Sequence, residues 1–365
     1  MSIPKLFDVH THVQFASFNE DREVVIQRSL DAGVWLINVG TQKDTSAKAV
    51  EIAHKYPKGV WASIGLHPIH TESSYHDEKE LGIIPSTQPW TENNELTGFT
   101  QLDSKSFVLQ NGDEMSALSK PERGQDIKDV GLTGFTSKEE DFDYGYYLQL
   151  AQDPRVVAIG ECGFDFYRLN PQTKRKQKKV FMRHIELAYV VKKPLMIHCR
   201  SGVPERAPPL AGRSGVSEQI PPQNVTGNTE SPLSLRKTGH NAFEYLLRVL
   251  ESQKGILNSP PGVIHFFSGS KGDAQKLMDL GFSFSFGGVV TFTSDYDEVI
   301  KYIPMERILL ETDAPYVAPI PYRGKRNKPE YIAETAKRIA EIKGLDPETV
   351  LAATVQNALK IFKVS

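Results

Sequence analysis

The chemistry of this chain begins with Asp8-Val-His10-Thr-His12. On a regular strand side chains alternate, so Asp8, His10 and His12 share one face while Val9 and Thr11 take the other. Two imidazoles at that spacing can converge on one cation, with Asp8 supporting them from behind. A pair of hydrogen-bonded histidines is the plainer alternative. Four more apolar runs end on a metal-ligating residue type: Val156-Val-Ala-Ile-Gly-Glu161, Leu195-Met-Ile-His198, Val263-Ile-His265 and Ile308-Leu-Leu-Glu-Thr-Asp313. An acid ending such a run, if buried, needs a cation or hydrogen-bond donors, and a structural salt bridge would satisfy Glu161 equally. Each instance is ambiguous alone, but the set is not. Four imidazoles and two carboxylates suit Zn²⁺ or Mn²⁺, and Mg²⁺ where waters complete the shell. Six ligands exceed what one tetrahedral ion uses, so two divalent ions are expected. The predicted chemistry is hydrolysis by an activated water, with Asp313 accepting its proton.

Other residues offer less. His67, in Gly65-Leu-His-Pro68, could touch substrate or simply pack. Arg200 and Arg323 could hold phosphate oxygens through their planar forks, against surface ion pairs as the alternative. With His67, Arg323 would position the leaving portion of the substrate. Lys174–Lys179 (KRKQKK) reads as the solvated start of a helix, with nucleic-acid contact as the sharper option. Cys162 and Cys199 directly follow Glu161 and His198, so on regular strands they point away from the pocket as small buried hydrophobes.

These residues need elements to bring them together. The spacing predicts strands at Lys5–Val13, Val34–Gly40, Val60–Leu66, Val156–Cys162, Pro194–Cys199, Gly262–Phe267, Ser283–Gly287 and Ile308–Thr312. Helical spacing lies between them, as in Val24, Ile26 and Leu30 or Phe243, Leu246, Leu247 and Leu250. Eight strands alternating with helices predict a TIM-type (β/α)8 barrel, an α/β fold whose strands gather their C-terminal residues into one pocket. The whole chain, 1–365, is expected to form one such hydrolase domain. Two stretches break the rhythm. Glu72–Thr136 is polar, carries TGFT twice and has an Asn111-Gly112 turn signal inside a candidate hairpin. Ser201–Gly239 is rich in Pro, Gly and Ser and reads as a loop. Both follow the C-terminal end of a strand, which in a barrel is the catalytic face. Tolerated surface insertions are the plain reading; a lid or substrate platform is the sharper one.

A net charge of −2 excludes the strongly basic body of a charge-driven nucleic-acid binder, although bound cations could still neutralise a phosphate locally. Two cysteines are too few for a disulfide scaffold. No stretch approaches the roughly 20 apolar residues of a membrane span, nor does the N-terminus carry a signal core, so no membrane partner and a cytoplasmic location are expected.

The motifs taken together resemble the TatD family of metal-dependent hydrolases. They are Asp8-Val-His-Thr-His12, Gly65-Leu-His-Pro68, Ala158-Ile-Gly-Glu-Cys-Gly-Phe-Asp165, Ile197-His-Cys-Arg200, His265-Phe-Phe-Ser-Gly269, Leu310-Glu-Thr-Asp-Ala-Pro-Tyr316 and Pro321-Tyr-Arg-Gly-Lys-Arg-Asn327. The resemblance implies that His10, His12 and Asp313 hold one ion, that His198 and His265 hold the other, and that Glu161 bridges them. It also implies deoxyribonuclease activity, and for some relatives removal of D-amino acids from tRNA. Three features depart from the family pattern: Ser201 opening an insertion after Arg200, Lys328 where Glu usually follows Asn327, and the insertion after His67. None is a predicted ligand, so they bear on substrate choice. The expected function is therefore a metal-dependent phosphodiesterase acting transiently on DNA. The alternative is hydrolysis of an amide or ester carbonyl such as that of D-aminoacyl-tRNA, and a binding protein with a vestigial site is the third.

Overall fold

In the computed structural model the predicted strands close into one parallel barrel. The structure describes residues 3–72, 74–76, 135–137, 139–167, 173–202 and 241–364. In chain order the strands are β1 (Leu6–Thr11), β2 (Val34–Val39), β3 (Val60–Ile64), β4 (Ser74–His76), β5 (Phe135–Ser137), β6 (Val156–Asp165), β7 (Leu195–Arg200), β8 (Gly262–Ile264), β9 (Ser283–Phe286) and β10 (Ile308–Leu310). Eight of them form the barrel in the closed order β1-β10-β9-β8-β7-β6-β3-β2, every pairing parallel. Helices α1 (Arg22–Asp31), α2 (Lys43–Lys55), α3 (Tyr144–Leu150), α4 (Thr173–Val191), α5 (Ala242–Ser252), α6 (Lys271–Asp279), α7 (Asp297–Tyr302), α8 (Ile332–Lys343) and α9 (Pro347–Phe362) alternate with them.

Local chemistry sets the helix limits. Ser270 and Asp273 exchange hydrogen bonds in a capping box that starts α6, Asp346 caps α9 ahead of Pro347, and Gly344 ends α8 in the left-handed conformation. The apolar face of α1 is Val25 and Ile26; Val24, expected to share it, is 57% exposed.

The barrel interior is layered by the two-residue period of a strand. Phe7, Trp35, Ile37, Trp61, Met196, Val263 and Leu309 form an inner apolar cluster, onto which α9 packs Val355, Ala358, Ile361 and Phe362. Two residues further along β3 and β7 and just beyond β8 and β10, the same inward face carries Ser63, His198, His265 and Glu311, of which only His198 is partly exposed. Apolar filling below and polar groups above put the reactive layer at the C-terminal end of the strands.

Strand limits differ from expectation by two or more residues at five places, one of them β3, which ends at Ile64 rather than Leu66. β6 runs on to Asp165 because Cys162–Asp165 pair with Ile197–Arg200 of β7. β8 and β10 stop early, with Phe266 and Asp313 at φ 46 and 54, left-handed values that turn the chain. β1 ends at Thr11. The first predicted insertion begins and ends in an antiparallel pair, Ser74 opposite Ser137 and His76 opposite Phe135. The Asn111-Gly112 turn and the first TGFT lie outside the described residues, as does nearly all of Ser201–Gly239.

Candidate metal centre

Two strand irregularities aim the ligating side chains. Between Asp8 and Thr11 the β1–β2 register shifts by one residue. Phe7 and Val9 therefore face the inner cluster, while His10 and His12 both reach the polar layer. This corrects the expectation that Asp8 shares their face. Its Oδ1 instead accepts from the backbone N–H of His10 (3.3 Å) and of Thr312 (2.9 Å), and Oδ2 accepts from the Thr312 hydroxyl (2.5 Å), tying β1 to the end of β10. Burial pushes the Asp8 carboxyl well above its ordinary range. A second shift, between Ile159 and Cys162, turns Glu161 inward while Cys162 stays in the outer core. It hinges on Gly160, at φ 150, where a Cβ would lie 2.2 Å from the Met196 carbonyl oxygen. Cys199 joins the same outer core, so both cysteines face away from the pocket as expected.

Glu161 is the centre of the site. Its Oε2 lies 3.4 Å from His10 Nε2 and 3.7 Å from His12 Nε2. Its Oε1 lies 3.0 Å from His198 Nδ1, 3.1 Å from His67 Nε2 and 3.2 Å from His265 Nε2. Asp313 closes the Oε2 side, with Oδ1 3.3 Å from His12 Nε2 and 3.7 Å from His10 Nε2. All six predicted ligands thus converge, and His67 joins them. Burial opposes the charge on Glu161, but His67, His10 and His265 outweigh it and hold the carboxylate well below its usual range. Asp313 is lowered likewise: burial raises it, and His12 beside it together with the neighbouring imidazoles reverses that. Burial also lowers the imidazoles of His10 and His67, the latter to about 4. His265 and His198 resist burial and are raised, the first by Glu311 and Glu161, the second by Asp165 and Glu161.

What stands behind each ring decides which nitrogen faces the centre. His12 Nδ1 donates to the Val39 carbonyl (2.7 Å), His198 Nε2 to Asp165 Oδ2 (2.9 Å) and His265 Nδ1 to Glu311 Oε2 (3.3 Å). In a neutral ring the opposite nitrogen then carries the lone pair, and in each case that nitrogen faces Glu161. His10 Nδ1 has no partner among the described residues. Three inward-facing lone pairs anchored from behind, with His10 and two ionised carboxylates, form a donor set that fits divalent ions.

Sequence reasoning gave no role to Asp165 or Glu311, although each lies an even number of residues from Glu161 or Leu309 on an inward face. It also passed over His184 on α4, whose Nε2 accepts from the Leu66 N–H (3.0 Å) while Nδ1 donates to the Val180 carbonyl (2.9 Å), and burial holds it near 4. Gln177, inside the basic run, is buried and bonds both the N–H and the carbonyl of Asp165. The two arginines lie apart. Arg200 stacks 3.7 Å over Tyr167, and Arg323 stacks 3.9 Å over Phe292 and donates to the Ala318 carbonyl. Among the described residues neither has a hydrogen bond or ion pair to the six. Asn327 donates to the carbonyls of Thr312 and Tyr316, holding the turn that carries Asp313.

The family described as TatD related DNase matches residues 7–211 and 228–363. The chain belongs to that family. Among similar proteins, an uncharacterized metal-dependent hydrolase of Buchnera aphidicola is 34% identical across 59% of this chain, and the match spans 65% of that protein's length. The Salmonella typhimurium protein TatD, named a 3'-5' ssDNA/RNA exonuclease, is 26% identical over 98% of this chain and 99% of its own. In fold, the crystal structure of YjjV, a TatD homologue from Escherichia coli, superposes with a TM-score of 0.65 at 21% identity, covering 100% of both chains.

Proposed function

We propose that this TatD-family chain is a divalent-metal-dependent phosphodiesterase that cleaves DNA. The observation that carries the reading is the division around Glu161, one oxygen facing His10 and His12 and the other facing His198 and His265. On this reading His10, His12 and Asp313 hold one ion, His198 and His265 hold the second, and Glu161 serves both; Mg²⁺, Mn²⁺ and Zn²⁺ are the candidates. Ions bound there supply Lewis acidity toward a phosphoryl oxygen and bring the ionisation of a water near neutral pH. The protein's own part is to orient and to move protons. Asp313, ionised and beside His12, accepts the proton of the attacking water. Asp165 and Glu311 hold His198 and His265 in place, so little rearrangement accompanies the reaction. Arg200 and Arg323 meet substrate phosphates at the rim, and the substrate is bound only transiently.

The printed names of the relatives support hydrolysis, and that of the Salmonella protein supports a nucleic-acid substrate. The reading places its action in the cytoplasm; no helix among the described residues is long and apolar enough to cross a membrane. The test is to assay purified protein on bis(4-nitrophenyl) phosphate, single-stranded DNA and D-aminoacyl-tRNA, with and without Mn²⁺ or Mg²⁺. Metal-dependent cleavage of the first two is expected. Activity on the aminoacyl-tRNA alone would replace the phosphodiesterase with an esterase.

A further inference from the structure

Three imidazoles offer Glu161 a nitrogen whose opposite neighbour donates a proton; His67 is arranged the other way round. It precedes a short turn at Pro68–Thr71, and its Nδ1 accepts a hydrogen bond from the Ile69 N–H at 3.1 Å. Proline has no N–H, so Ile69 supplies the first free donor of that turn. A ring nitrogen that accepts carries no proton, and a neutral imidazole has one, which must therefore sit on Nε2. Nε2 lies 3.1 Å from Glu161 Oε1, so this contact is an N–H donating to a carboxylate. Proximity alone groups His67 with Glu161 and His198 as three residues able to hold an ion. The bond behind the ring argues against that, because a metal needs a lone pair and Nε2 has none to give.

His67 is also held in place. Leu66 N–H donates to buried His184, and the His67 ring lies 4.3 Å from that of His198. It approaches Glu161 from the Oε1 side, whereas Asp313 contacts His10 and His12, which face Oε2. Donor and proton acceptor thus lie on opposite sides of the central carboxylate, as attack and departure require in an in-line displacement.

Resting on the phosphodiesterase reading, we propose that His67 is a catalytic residue that holds no metal, and that its Nε2–H donates a hydrogen bond to the leaving oxygen of the scissile phosphodiester. The ring keeps its proton, since a neutral imidazole would have to become an imidazolate to release it. The leaving oxygen takes its proton from water.

Three measurements test this. Mn²⁺ titration of His67→Ala is expected to give the wild-type stoichiometry, while His198→Ala loses affinity. Long-range ¹H–¹⁵N spectra of histidine-labelled, metal-free protein, with His67 assigned from a variant, are expected to show Nδ1 without its proton. In kinetics, His67→Ala is expected to lower kcat by about 10²-fold on an oligodeoxynucleotide, whose alkoxide leaves poorly, and far less on bis(4-nitrophenyl) phosphate. His67→Gln, whose amide can both accept from Ile69 and donate to the pocket, recovers part of the loss and serves as the variant should alanine fail to fold. Loss of a Mn²⁺ equivalent in the His67 variants, a proton on Nδ1, or equal losses on both esters overturns the proposal. Wild-type protein that binds Mn²⁺ but cleaves neither ester removes the phosphodiesterase reading instead, and the titration and spectra still decide between donor and ligand.

Discussion

Glu311 reaches His265 across an intervening strand. Its Oε2 lies 3.3 Å from His265 Nδ1 and accepts from the Ser285 hydroxyl of β9 (2.5 Å), while Oε1 accepts from the Phe266 N–H (2.8 Å). One fully buried carboxylate thereby joins the ends of β8, β9 and β10. Glu311→Gln keeps the shape but removes the charge that orients and raises His265. Metal affinity is expected to fall about 10–100-fold. Calorimetric titration with Mn²⁺ checks this, and an unchanged dissociation constant would show that the bond is incidental.

Asp313→Asn tests the proton acceptor. The amide fills the same space but cannot take up a proton, so kcat should drop about 10²–10⁴-fold while the thermal transition of the metal-free protein stays near wild type. A fully active variant would transfer that role to another group.

Chelation supplies a third test. Removing divalent ions should abolish turnover, and adding Mn²⁺ back at about 100 times its dissociation constant should stabilise the fold by about 2.7 kcal/mol for each site filled. Differential scanning calorimetry with and without the ion reads this directly. A transition temperature indifferent to metal would contradict binding at this buried cluster.

His184 gives a pH dependence separate from the metal. Its folded-state pKa is lowered from 6.5 to about 4 by burial, so the unfolded chain takes up the proton first as pH falls. The stabilisation is complete above pH 6.5 and is lost between there and about 4, at roughly 1.4 kcal/mol per pH unit. Urea midpoints of wild type and His184→Gln, both with chelator, should therefore draw together as pH falls from 7 to 5. Parallel curves would mean that His184 is not buried as a neutral base.

Gly160→Ala tests how Glu161 is aimed. The added Cβ would meet the Met196 carbonyl oxygen at 2.2 Å, in a conformation that L side chains rarely adopt. A loss of about 3–5 kcal/mol in unfolding free energy is expected. Wild-type stability would show that β6 can relax without the glycine.

The barrel was legible because its strands are short apolar runs, and the site because five of those runs end at or just before residues that cannot be buried unaided. The other five expected ligands gather around Glu161 for that reason. The register shifts in β1 and β6 were not legible, since they arise from pairing with a neighbouring strand rather than from any one segment. Asp8 was consequently placed on the wrong face, although His10 and His12 were not. The supports Asp165 and Glu311 were hidden for a similar reason: an acid behind an imidazole is distinguished only once the ring's orientation is known. The tautomer of His67 depends on a backbone N–H two residues away, which no side-chain pattern encodes.

The antiparallel pairing of β4 with β5 has a consequence for how such a chain can change over evolutionary time. Ser74 and Ser137 are neighbours across that pair although 63 positions apart in the chain. A segment whose two ends already meet can grow, shrink or be exchanged without altering the path of the strands on either side. The residues around Glu161 are therefore free to stay fixed while what precedes α3 is rewritten. Lineages can rewrite the sequence between those two strands and leave the chemistry around Glu161 untouched.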